Sequence, residues 1–223
     1  MNDMTLDDAV RLRRSVRGFL PCEVPEETLR EVFALAQLAP SNCNVQPWTP
    51  HVVSGAPLRA LADALVEAAR AGMPIDPDWS TAGRFQGVYR DRQYDAAAQL
   101  YGAMGVARQD LDGRNAAYLR NHACFGAPHA VFLFLQRPLD TREAVDVGIY
   151  AQTLMLAMTS RGISSCAQGA LSIFAGIVRK HLGVGDDHRL LFGISFGYED
   201  PSVKANDARV GRAALDAAVH FHR

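Results

Sequence analysis

The chain is short of cysteine, of net charge and of long apolar runs, and each shortage removes a class of protein. Its four cysteines, Cys22, Cys43, Cys124 and Cys166, lie far apart with no two at ligand or redox spacing. Neither a zinc site nor a redox dithiol is written here, and reduced thiols in a cytoplasmic protein are the expectation. A net charge of −1 over 223 residues gives no broad basic field to gather nucleic acid. The longest apolar stretches are broken by Gln152 and Thr153 or end at Gln136, so no membrane span is expected, and the start Met-Asn-Asp-Met-Thr lacks a basic-then-apolar leader. Repeats and low-complexity tracts are absent too. At 48% apolar residues the composition excludes disorder and leaves one globular domain over residues 1–223, long enough for a full core.

Against this neutral background one stretch concentrates charge. Leu12–Phe19 carries Arg13, Arg14 and Arg17 around the hydroxyl of Ser15. Guanidinium groups pair bidentately with phosphate, so an anion is the first ligand to look for; an isolated run of this kind is otherwise a solvated basic turn. A second unusual stretch, Ala39–Trp48, sets Ser41, Asn42, Asn44 and Gln46 between prolines 40 and 47. Prolines remove donors, and short polar side chains compete for backbone partners, so this segment reads as a fixed loop presenting amides or as an ordinary polar turn.

The pattern predicts helices over Leu6–Leu12, with Thr5 as N-cap, from Pro25 to Pro40, and over Leu58–Ala71. Residues 72–92 show no period and read as a surface excursion that could wall or cover a site; helical spacing returns over Gln93–Val106 and Asp110–Ala123. Thr49–Val53, His129–Gln136, the stretch from Ile163 and Leu190–Tyr198 read as strands, the second buried on both faces. Thr141–Arg161 is apolar nearly all round, which suits the centre of the fold or a subunit contact, with Gly162 as its stop. A helix over Ile173–Leu182 and a tail with Asn206, Arg209 and Arg212, helical or extended over residues 213–221, complete the chain.

Three local patterns mimic other chemistry. Gly193-Ile-Ser-Phe-Gly197 matches the G-x-S-x-G nucleophile elbow of an α/β hydrolase, but Tyr198-Glu-Asp-Pro201 blocks the helix that an elbow needs, so Ser195 reads as a strand residue. Gly183-Val-Gly185 lacks a third glycine and is trailed by Asp186 and Asp187, which would repel a phosphate. His220 and His222 have no carboxylate partner, and no metal is assigned.

Taken together, Arg13–Arg17, Pro40–Trp48, Cys166-Ala-Gln-Gly-Ala170 and Asn206–Arg212 resemble, in order, the motifs of the FMN-dependent nitroreductase family. The resemblance runs from residue 11 to residue 215 and is weakest over residues 73–120. It implies an α+β fold with a central, mostly antiparallel sheet flanked by helices, and an intertwined homodimer with FMN at the subunit interface. Arg13, Arg14 and Ser15, completed by Arg209 and Arg212, resemble the phosphate clamp, and Arg17 the cation beside the flavin pyrimidine. Pro40, Ser41, Asn42 and Asn44 resemble the loop reaching the flavin from the other subunit, Gln168 and Gly169 the turn facing the hydride-accepting nitrogen, and Asn121 a contact to the pyrimidine edge. Many relatives carry Glu where Gln168 stands. The implied activity is a ping-pong transfer from NADH or NADPH through FMN to a small aromatic acceptor, nitroaromatic, nitrobenzoate-like or quinone, with no side-chain nucleophile. The same fold also serves flavin-fragmenting synthases, reductive dehalogenases and FMN-binding modules without activity. Trp79, Phe85, Tyr89 and Phe125 are candidates for the acceptor pocket or for the core.

Overall fold

The computed structural model describes residues 4–80 and 83–223. Its centre is a four-stranded sheet in the order β1-β2-β4-β3, formed by β1 (Trp48–Ser54), β2 (His129–Gln136), β3 (Ser164–Gln168) and β4 (His188–Gly197). All three pairings are antiparallel. The unbroken apolar run of β2 makes it central, since both its edges are paired and only Gln136 is exposed.

The two-residue period of β2 sorts its side chains into two cores. Val131, Leu133 and Leu135 join Val32, Ala36, Tyr150, Leu154 and Met158 from α2 (Glu26–Ala36) and α6 (Thr141–Thr159) on one face. Ala130, Phe132 and Phe134 join Leu58, Leu61, Leu65 and Val178 from α3 (Gly55–Arg70) and α7 (Ala175–Leu182) on the other. The sheet is thus sandwiched between helical layers, and truncating Phe132, which is fully buried, would cost about 3–5 kcal/mol. A third, small cluster of Val16, Phe19, Phe125 and Cys166 lies beneath the arginine segment.

Helix ends follow their caps. Thr5 Oγ1 accepts from Asp8 N–H at the start of α1 (Leu6–Leu12), Asp140 and Glu143 form a capping box on α6, and Gly183 closes α7 at φ +66°. α6 buries one face and leaves Val145 and Ile149 exposed on another.

The excursion departs most from the sequence expectation. α4 spans Gly87–Ala103, beginning six residues before the predicted start, and α5 spans Leu111–His122 with Asp110 as N-cap. No residue of α4 is buried, and Val88, Tyr89 and Tyr94 point into solvent. A helix without a buried stripe has no hydrophobic period to betray its start. The first part of the excursion is, by contrast, fastened. Asp76 accepts from Gly176 N–H in the first turn of α7, and Asp78 receives both Arg179 and the N–H of Leu190. In the tail, residues 213–221 hold a single turn, Leu215–Ala217, and are otherwise irregular.

Candidate functional site

Leaving α1, the chain becomes extended and lies alongside the end of the sheet. Ser15 forms a parallel bridge with Ser165 of β3 and Phe19 an antiparallel one with Glu199. Val16 N–H donates to Ser165 O at 3.1 Å and Leu20 N–H to Tyr198 O at 2.9 Å. Extended backbone sends alternate side chains opposite ways. Arg13, Ser15 and Arg17 all lie near the Cys166 thiol: burial pushes the thiol up, while the charge of Arg17, the Ser15 hydroxyl and the charge of Arg13 pull it back. Val16 instead turns into the small core, and Arg14 reaches Glu199, its Nη2 2.6 Å from both carboxylate oxygens.

The two ends of the chain meet here. Burial holds the Arg13 guanidinium below its ordinary range, and the next cause is repulsion from Arg212. The tail arrives by way of the turn Lys204–Asp207, and Arg209 and Arg212 are steadied by backbone oxygens: Arg209 Nη1 lies 2.6 Å from Asn206 O, and Arg212 Nη1 2.9 Å from Gly211 O. Among the described residues, Arg13, Arg17, Arg209 and Arg212 have no carboxylate within 4.0 Å. Four guanidinium groups without counter-charge are an electrostatic cost that an anionic ligand would relieve.

A cavity of about 230 Å³ adjoins this cluster, lined by Arg13, Arg14, Thr159, Ser165 and Glu199 among others. Arg14 Nη1 and Ser165 Oγ are buried there without hydrogen-bond partners. A smaller pocket of about 40 Å³ lies on the α4–α5 side, lined by Arg17, Tyr101, Met104, Arg120, Asn121 and Phe125.

Gln168 ends β3 with its side chain turned inward and fully engaged. Its Nε2 donates to Asn121 O at 2.9 Å, and its Oε1 receives the hydroxyl of Ser195. Ser195 is therefore a buried strand residue holding an amide, and β4 continues through it to Gly197 with no elbow. Gly169 follows with open space where a Cβ would stand, so its backbone is approachable.

Of the two readings of residues 39–48, the fixed loop is the one that the backbone adopts. Cys43, Asn44 and Gln46 all adopt left-handed backbone, with φ of +48°, +56° and +48°. Asp146 of α6 accepts from Asn42 N–H at 3.1 Å, and Ser41 Oγ from Gln46 N–H at 2.9 Å. Strain of this kind persists only where the surroundings over-determine it. Pro40, Asn42 and Asn44 are exposed, Ser41 partly so, and within one chain these residues are not in contact with the arginine cluster through any hydrogen bond or ion pair found among the described residues.

Sequence reasoning missed three supporting residues, Glu199, Asp146 and Arg120, and gave no role to a fourth, Asn206, which opens the tail motif. Of the three missed, only Asp146 left a signal, as an acid within an apolar helix stripe. Of the aromatic candidates, Phe125 is buried beside Arg17's pocket, Trp79 packs on the core under the Arg189 guanidinium at 3.8 Å, and Phe85 and Tyr89 are exposed. Among the described residues no three His, Cys, Asp or Glu side chains are grouped to hold a metal ion.

Known proteins resemble this chain along nearly its whole length. A family model described as "Nitroreductase family" matches residues 10–198. The chain is 49% identical over 218 residues to Nitroreductase NfnB of Mycolicibacterium smegmatis, covering 96% of this chain and 91% of that one. It is 34% identical to a 4-nitrobenzoate reductase of Pseudomonas putida, over 96% and 94% of the two chains. The crystal structure of the FMN-dependent nitroreductase NfnB from Mycobacterium smegmatis in complex with NADPH superposes with a TM-score of 0.93 at 46% identity, over 97% of each chain.

Proposed function

Because this chain belongs to the nitroreductase family, we propose that it is an FMN-dependent oxidoreductase carrying electrons from NADPH or NADH to nitroaromatic or quinone-type acceptors in two successive half-reactions. The observation that carries this reading is the convergence of the two ends of the chain, where Arg17 N–H donates to Asn206 Oδ1 and Arg209 holds Asn206 O, while among the described residues neither Arg13 nor Arg212 has a carboxylate within 4.0 Å. When bound, FMN supplies the two-electron chemistry, and the protein supplies position and charge.

In this reading Arg13, Ser15, Arg209 and Arg212 hold the FMN phosphate, and Arg14 adds its unpartnered Nη1 while Glu199 orients the rest of its guanidinium. Arg17 sets a positive charge beside the pyrimidine, where it favours electron density arriving on the ring. Asn121 lines the pocket next to Arg17 and serves the pyrimidine edge. The Gln168 amide is occupied by Ser195 and Asn121, so the backbone of residues 168–169, rather than that side chain, faces the reacting edge. Pro40, Ser41, Asn42 and Asn44 then approach the flavin of a partner subunit in a homodimer. Exposed Val145 and Ile149 on α6, with Leu6, Val10 and Leu12 on α1, support such a contact. The whole chain acts as one FMN-binding domain, with residues 72–120 shaping the acceptor site. No helix of the described residues is long and apolar enough to cross a membrane, and the four cysteines are unpaired, which supports a cytoplasmic place.

The test is direct. The purified protein should be yellow, NADPH should bleach it without air, and a nitroaromatic acid should restore the colour while being reduced. A colourless protein with no affinity for FMN overturns the reading.

A further inference from the structure

Arg17 is gripped on both sides of its peptide by side chains distant in sequence. Its N–H donates to Asn206 Oδ1 at 2.7 Å, and its carbonyl accepts from Arg120 Nη2 at 2.9 Å. Asn206 does more than this. Its Nδ2 donates to Gly18 O and to Asp200 O, both at 2.9 Å, and its own carbonyl accepts from Arg209 Nη1 at 2.6 Å. The residue is buried, 2% exposed, and every polar atom of its side chain is used. Close packing leaves it no slack: a Cβ on Gly18 would lie 2.5 Å from Val203, on the strand of chain leading to the same turn.

One carboxamide therefore joins the arginine segment at residues 17–18, the exit of β4 at residue 200 and the arm bearing Arg209. We propose that Asn206 is a positioning residue that sets the register of the tail arginines, Arg209 and Arg212, against Arg13, so that all three address one phosphate. The inference rests on the FMN reading above. An amide is required because the site asks one group to accept from an N–H and donate to two carbonyls at once. Alanine leaves the Arg17 N–H, Gly18 O and Asp200 O without their partner. Aspartate keeps the acceptor but turns an oxygen towards two carbonyl oxygens.

The phosphate makes this separable from simple loss of fold. FMN and riboflavin share the ring system, and only FMN uses the clamp. Full-length protein is titrated with each flavin, and the ratio of the two affinities is read. Asn206→Ala should lower the FMN affinity at least tenfold and change the riboflavin affinity less than threefold. Arg209→Gln removes one arm of the clamp, and the double variant closes a cycle. If Asn206 acts through the tail arginines, the double variant loses no more of the FMN preference than the worse single variant. Equal losses for FMN and riboflavin, or losses that multiply in the double variant, overturn the proposal. Should Asn206→Ala fail to fold, Asn206→Asp is measured by the same ratio and the same cycle, with the same two outcomes. Wild-type protein binding neither flavin would instead defeat the FMN reading itself, a result distinct from the failure of Asn206.

Discussion

The segment 13–19 and the helix α4 both lie on the surface and both carry arginines, yet they are built on opposite rules. In the first, Val16, Gly18 and Phe19 are buried, two β-bridges fix the backbone, and Arg13 and Arg17 have no carboxylate partner among the described residues. In the second nothing is buried, and the charges are already answered: Arg90 pairs with Asp91 at 3.5 Å and Arg92 sits 6.0 Å from the Tyr89 ring. The first carries three arginines and the second two. A cation marks a site when the fold pins it and denies it a neighbouring acid, because only then does an incoming anion gain more than solvent already gives.

The sharpest way to break this contrast is to neutralise one arginine in each region. Arg13→Gln should weaken FMN binding about 10- to 100-fold, the worth of one charge-assisted hydrogen bond, and Arg90→Gln should leave it within about twofold. Fluorescence titration reads both, and equal losses would erase the distinction. A smaller effect is expected inside the site's supporting shell. Ser195→Ala leaves Gln168 Oε1 without its donor and should cost about 1–3 kcal/mol in urea unfolding, while NADPH oxidation by the folded protein persists. Complete loss of turnover with fold and flavin intact would restore Ser195 as a nucleophile.

Acid should separate core from excursion. Burial holds His122 and His129 below their ordinary value, although Glu23 opposes this at His129. His129 Nε2 accepts from Val24 N–H at 2.9 Å, so its protonated form meets a donor with a donor. Both histidines bind fewer protons folded than unfolded. Stability is then complete above about pH 6.5 and declines as the pH falls below it towards the lowered folded values. Urea midpoints between pH 5 and 7.5 should show this slope, and His122→Phe, which keeps the aromatic packing between Tyr118 and Phe174, should flatten it. The smallest effect belongs to α4. Tyr94→Ala should move unfolding by no more than about 0.5 kcal/mol and leave FMN affinity unchanged while altering the KM for the acceptor. A large loss of stability there would mean the helix is packed better than its exposure indicates.

Much of this was legible beforehand where burial imposes a period. The apolar run of β2 and the cap at Thr5 each fix an element within a residue or two, and the stripe of α2 fixes its start, although the helix ends at Ala36 rather than at Pro40. The start of α4 was not, since its contacts select no face of the helix. Site residues divide likewise. A local concentration of charge stands out in a sequence, so Arg13 and Arg17 could be named from it, whereas Gln168 and Arg209 are named through the family resemblance. Asn206, Glu199 and Arg120 work through long-range hydrogen bonds to backbone and ion pairs across 185 and 103 residues, and no local pattern encodes such a partner.

The fastening of Asp76 and Asp78 onto α7 and β4 has a practical side. Anchored in the first residues of the excursion, and followed by a helix that contributes nothing to the core, the scaffold resembles a socket with an interchangeable fitting. Grafting the corresponding span of a relative between residue 80 and the cap at Asp110 should therefore yield chimaeras that keep their flavin grip while trading one appetite for oxidants against another.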